Sequence, residues 1–115
     1  MMGNKDFLLR AVRLAEEGIK KKGGGPFGAV IVRNGEIISE AINKVVCLND
    51  PTAHAEILAI RQASKVLGTH SLGDCILYAS CEPCPMCLGA IYWSGIKTVF
   101  FAAGRDDAAS AGFSD

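Results

Sequence analysis

Three of the chain's five cysteines lie within seven residues, Cys81-Glu82-Pro83-Cys84-Pro85-Met86-Cys87, a spacing too tight for a disulfide framework. In a reducing compartment such crowding points to a metal. The same stretch constrains the backbone. Cys84 reads as a helix cap, Pro85 suits the first helical position and Cys87 follows three residues on, which brings both sulfurs round one helix end. There the unpaired N–H groups and the helix dipole favour thiolate over thiol.

The surrounding sequence supplies alternating elements. Residues 4–22 carry Phe7, Leu8, Ala11, Leu14, Ala15, Gly18 and Ile19 at helical spacing, with Lys20 to Lys22 at the negative end of the dipole. Gly23-Gly24-Gly25-Pro26 breaks that helix. Two apolar runs, 28–32 and 36–41, flank Asn34-Gly35, the dipeptide of a tight β-hairpin turn. Residues 43–52 read as a loop, in which Asp50-Pro51 opens a second helix with a buried stripe of Ile57, Ile60, Ser64 and Leu67, ending near Gly68. Residues 75–79 read as a buried strand, 85–93 as a short helix and 96–102 as another buried strand, an order that implies parallel neighbours. The tail from Ala103 to Asp115 gives no further strand.

Half of the 115 residues are apolar, enough for one ordinary core, so a single domain over residues 1–115 is expected. The formal net charge is zero and the longest basic run is Lys20 to Lys22, read as a solvated helix end, which argues against a nucleic-acid partner. The N-terminal residues alternate apolar with charged. Neither a signal peptide nor a membrane span is read there, and a cytoplasmic location follows.

A second motif, His54-Ala55-Glu56, falls at the start of the second expected helix. Residues two apart in a helix point about 200° apart, so His54 and Glu56 would diverge in a helix interior. In the first turn they can fan around the end and approach one point. His54, Cys84 and Cys87 would then give zinc three ligands and leave a fourth position for water, the arrangement of a catalytic site. Glu56 suits proton transfer better than ligation, taking a proton from water and handing it to a leaving group.

His-x-Glu with Pro-Cys-x-x-Cys is the signature of zinc deaminases. On these motifs, together with Gly24-Gly25-Pro26-Phe27-Gly28-Ala29-Val30, Asn49-Asp50-Pro51-Thr52-Ala53, Leu88-Gly89-Ala90-Ile91-Tyr92-Trp93 and residues 108–115, the sequence resembles the cytidine-deaminase-like superfamily. Within it, the chain is similar to the bacterial guanine deaminases over nearly its whole length. The resemblance implies an α/β fold, a three-layer α/β/α sandwich whose mixed sheet opens with a β-hairpin and continues in parallel. It implies Zn2+ on His54, Cys84 and Cys87, and Glu56 as catalytic proton shuttle. It also implies substrate contacts from Phe27, Asn43, the Ala55 backbone and Asp115, and hydrolysis of a small nucleobase, guanine, to xanthine plus ammonia. Members are dimers or larger, so a homodimer is expected, with apolar Ile91, Tyr92 and Trp93 available to an interface. By the same likeness the chain lacks the family's C-terminal helix and strand, which in guanine deaminases helps cover the active site and is exchanged between subunits.

Plainer readings compete at each position. Cys81 offers a fourth ligand that would close a purely structural zinc site, but such a site has no use for Glu56; a small buried side chain at a strand end is the alternative. Cys47 and Cys75 read as inert and His70 as solvated. Tyr92 and Trp93 divide between core packing and a pocket or subunit contact, and Phe27 between core and pocket. Asparagine after a strand, as at Asn43, commonly bonds its own turn. Among rival activities, tRNA adenosine deaminase shares the zinc motifs but calls for a basic face, and a cytosine or other small-base deaminase would be set apart by the side chains of the pocket.

Overall fold

The computed structural model describes residues 3–104. In chain order these form α1 (Asn4–Lys20), β1 (Gly28–Arg33), β2 (Glu36–Ile42), α2 (Val45–Leu48), α3 (Ala55–Leu67), β3 (Cys75–Cys81), α4 (Pro85–Ser94) and β4 (Thr98–Ala103). The four strands make one sheet in the order β2-β1-β3-β4. Asn34 and Gly35 both take positive φ, 52° and 77°, which gives the β1–β2 hairpin the twist its strands need. β1 is antiparallel to both its neighbours, whereas β3 and β4 are parallel. The sheet is therefore mixed: β2, β3 and β4 run one way and β1 alone opposes them.

Alternation along the strands sends side chains to two cores. Val30, Val32 and Tyr78 pack with Phe7, Ala11 and Leu14 of α1 on one face. Ala29, Ile31, Leu77 and Ala79 pack with Ala55, Ala59 and Ala63 of α3, and with Ile91 of α4, on the other. Helices thus cover both faces, and the three-layer sandwich expected from the resemblance is present. Gly28 lets α1 lie close to the sheet: a Cβ there would sit 2.4 Å from the Ala11 carbonyl oxygen and 2.7 Å from Leu14 Cβ.

Four local expectations need correction. α1 ends at Lys20 rather than residue 22, because Lys21 is already extended and its N–H closes on the Gly18 carbonyl. Asp50-Pro51 does not open a helix. The short α2 occupies part of the expected loop and stops at Asn49, in the left-handed conformation with φ 53°. The Asp50 carboxylate then binds Thr52, and α3 starts only after His54, so the Asp-Pro signal marks a side-chain-closed turn instead. The buried face of α3 is also rotated, running through Ala55, Glu56, Ile57, Ala59 and Ala63. Ile60 and Leu67 only border the core, and Ser64 is half-buried. Alanines four residues apart bring this helix tightly onto the sheet, and a pattern weighted towards large apolar residues overlooks them.

The fourth correction concerns β4, which is not a buried strand. It is one of the two edge strands of the sheet among the described residues, and Phe101 is 45% exposed. Gly68 does end α3, with positive φ, and no helix of the described residues is long and apolar enough to cross a membrane.

Candidate metal centre

Two helix N-termini meet on the α3–α4 side of the sheet. His54 is the N-cap of α3 (φ −69°, ψ 153°) and Cys84 the N-cap of α4 (φ −73°, ψ 171°). Pro85 occupies the first turn of α4, where its missing N–H leaves no helical bond unmade. Ile57 of α3 packs against Cys84 and Cys87, so an apolar contact holds the two ends together.

The Nδ1 of His54 lies 3.6 Å from the sulfur of Cys84 and 3.6 Å from that of Cys87, and all three atoms fall within 4.8 Å of one another. Tetrahedral zinc with ordinary bonds to nitrogen and sulfur separates those two ligand atoms by about 3.6 Å. The donor set therefore fits zinc in chemistry and in spacing. Cys81 is not in this cluster. It is buried at the end of β3, and its sulfur faces the Gly104 carbonyl at 4.0 Å.

Glu56, in the first turn of α3, is 7% exposed, and its carboxyl reaches the Cys87 thiol. Without a metal the Cys87 thiol is pushed far up, first by burial, then by the Glu56 carboxylate and by Cys84. A divalent cation held by His54, Cys84 and Cys87 would instead favour the thiolates, because it stabilises every negative group around it at once.

The remaining expected site residues lie at the ends of neighbouring elements. The Asn43 N–H donates to the Phe27 carbonyl at 3.1 Å and the Gly25 N–H to the Asn43 carbonyl at 3.1 Å, which ties Phe27 and Asn43 side by side beyond the hairpin. The Asn43 side chain accepts from the Val45 N–H at 3.1 Å through Oδ1, so it does bond its own turn. Phe27 is half-buried against the core cluster that contains Ala55, and Ala55 itself is fully buried. Asp115 lies outside the described residues. His70 is exposed, Cys75 is buried and Cys47 is exposed. Tyr92 and Trp93 are 75% and 82% exposed, which excludes core packing, whereas Ile91 is buried and unavailable to an interface. The turn formed by Asp50 and Thr52 just before His54 was not foreseen, although Asp-x-Thr is a recognisable pattern for it.

Residues 1–103 match the model of the cytidine and deoxycytidylate deaminase zinc-binding region. A guanine deaminase of Bacillus subtilis (strain 168) is 64% identical over 114 residues, covering 99% of this chain and 73% of that protein. The X-ray structure of guanine deaminase from Bacillus subtilis superposes with a TM-score of 0.96, at 64% identity, over 99% of this chain and 73% of the solved one. A tRNA-specific adenosine deaminase of Aquifex aeolicus (strain VF5) is 50% identical over 102 residues, or 89% of this chain and 67% of the relative. Sheet order, the His-Cys-Cys cluster and these likenesses agree, and the chain belongs to the cytidine and deoxycytidylate deaminase zinc-binding family.

Proposed function

We propose that this protein is a zinc-dependent aminohydrolase that converts guanine and water to xanthine and ammonia. His54, Cys84 and Cys87 are its metal ligands and Glu56 is its proton carrier. The observation that carries this reading is the buried Glu56 carboxyl beside a three-ligand cluster to which it need not contribute a ligand. Bound zinc supplies Lewis acidity, which brings the pKa of water towards about 7.

Glu56 takes a proton from water as the water oxygen bonds to the ring carbon bearing the amino group, and passes it to the exocyclic nitrogen as that carbon–nitrogen bond breaks, so the nitrogen departs as ammonia. Its burial in the first turn of α3 keeps the carboxyl out of bulk water and aimed at one point. With Asn43 Oδ1 engaged by Val45, the amide N–H pair is what Asn43 offers a purine acceptor. The Ala55 N–H belongs to the first helical turn and needs no intrahelical partner, so it is available to substrate. Phe27 packs on the base, and Asp115 contributes recognition or a proton relay.

Guanine is favoured over adenosine in tRNA by the higher identity, 64% against 50%, and by a net charge of zero. The five free cysteines suit a cytoplasmic setting. A homodimer is supported by α4. This short helix leaves Leu88 47% exposed and sets Tyr92 against Trp93 edge-to-face at 5.5 Å on the outside. The deciding experiment is ammonia release from guanine, adenine, cytosine, cytidine and a tRNA anticodon hairpin. Release from guanine is expected, and activity on the hairpin alone would overturn the choice of substrate.

A further inference from the structure

The metal cluster draws its ligands from two sources that differ in rigidity. Cys84 and Cys87 sit on one helix end and move together, whereas His54 arrives at the end of the loop 49–54. The 3.6 Å approach of its imidazole to both sulfurs therefore depends on how that loop is held. Both its ends are tied to the start of α2: the Asp50 N–H donates to the Val45 carbonyl at 3.0 Å, and the Lys44 N–H to the Ala53 carbonyl at 2.9 Å. Between them, one carboxylate oxygen of Asp50 accepts two bonds, from the Thr52 N–H at 2.9 Å and the Thr52 hydroxyl at 2.7 Å. The Thr52 carbonyl in turn accepts the His54 N–H at 2.8 Å. The other Asp50 oxygen lies 3.8 Å from Arg61 of α3. Ala53 is fully buried, which prevents the loop from relaxing outward as a whole.

We propose that Asp50 is a positioning residue for the metal centre: through Thr52 it fixes the backbone that presents His54 to the two cysteine sulfurs. The chain of contacts runs from the carboxylate to Thr52, from Thr52 to the His54 N–H, and from there to the imidazole. This inference rests on His54 being a metal ligand. Asp50 itself is not among the three grouped side chains. Outer partners that orient a ligating histidine typically contribute 10–100-fold to metal affinity.

The test uses the full chain loaded with Co2+, whose thiolate charge-transfer and d–d bands report the coordination sphere directly, and with Zn2+ against a competing chelator. Asp50→Ala removes both acceptor bonds and is expected to weaken metal binding by about 10–100-fold and to shift the d–d bands. Asp50→Asn keeps an acceptor oxygen at the same place and is expected to restore affinity and spectrum. Thr52→Val keeps the bond to the backbone N–H but removes the hydroxyl, and should show an intermediate loss. Arg61→Ala should change little, because its contact is long and exposed. Thermal unfolding of the metal-free variants separates loss of fold from loss of positioning.

Wild-type affinity and spectrum in both Asp50→Ala and Thr52→Val, or an Asp50→Asn as weak as Asp50→Ala, would overturn the proposal. Should Asp50→Ala not fold, Thr52→Val with unchanged affinity would overturn it alone. Absence of thiolate–cobalt bands in the wild type would instead sink the metal-ligand reading on which it rests.

Discussion

Replacing Gly28 with alanine tests how closely α1 lies on the sheet. An added Cβ would meet the Ala11 carbonyl oxygen at 2.4 Å, Leu14 Cβ at 2.7 Å and the Ala15 nitrogen at 2.9 Å. None of these is the end of a flexible side chain, so no rotamer change relieves the contact. To restore ordinary contact near 3.4 Å the helix must lift by about 1 Å. That movement loosens Phe7, Ala11 and Leu14 from Val30, Val32 and Tyr78, most of one core. Overpacking of this kind costs about 3 kcal/mol at the upper end of its usual range. For a domain of this size the midpoint of thermal unfolding should fall by roughly 15 °C. Urea titration of Gly28→Ala should show a lower midpoint with an unchanged slope. A stability within about 0.5 kcal/mol of wild type would refute the close packing, since surface-like substitutions alone fall in that range.

Other substitutions probe separate features. Ser39 is buried and donates to the Ala59 carbonyl at 2.8 Å, anchoring α3 to β2; Ser39→Ala should lower stability by about 1 kcal/mol in urea titration. Arg10 holds Glu40 through two bonds, at 2.6 and 3.2 Å, but both side chains are about a third exposed. A double-mutant cycle on that pair should give only about 0.5–1 kcal/mol, shrinking as salt is raised. Replacing Tyr92 and Trp93 with serine should convert the proposed dimer to monomers in sedimentation measurements without altering metal content. Unchanged mass would remove α4 from the interface.

The sequence was most legible where the physics is local. Asn34-Gly35 needs only backbone preferences to make its hairpin, and Cys84-Pro85 needs only those of a helix start, so both positions agree with the structure. His54 caps α3 and Glu56 stands in its first turn, the helix start at which the motif places them. What failed depended on tertiary context. The apolar run in β4 says nothing of how much neighbouring structure covers it, and Phe101 remains exposed. Alanine carries too little hydrophobic weight to mark a helix face, yet Ala55, Ala59 and Ala63 face the sheet because α3 packs close. Asp50-Pro51 opens helices and side-chain-closed turns alike, and the neighbouring α2 and Thr52 decide between them.

The most direct measurement is zinc content and guanine turnover, side by side, in the wild type and in Glu56→Gln. About one zinc per chain is expected in both, with turnover in the variant reduced by about 10²–10⁴-fold, the range of general acid–base catalysis. Undiminished turnover would remove Glu56 from proton transfer. Zinc lost together with activity would make residue 56 a ligand and contradict a three-ligand centre with a separate proton carrier.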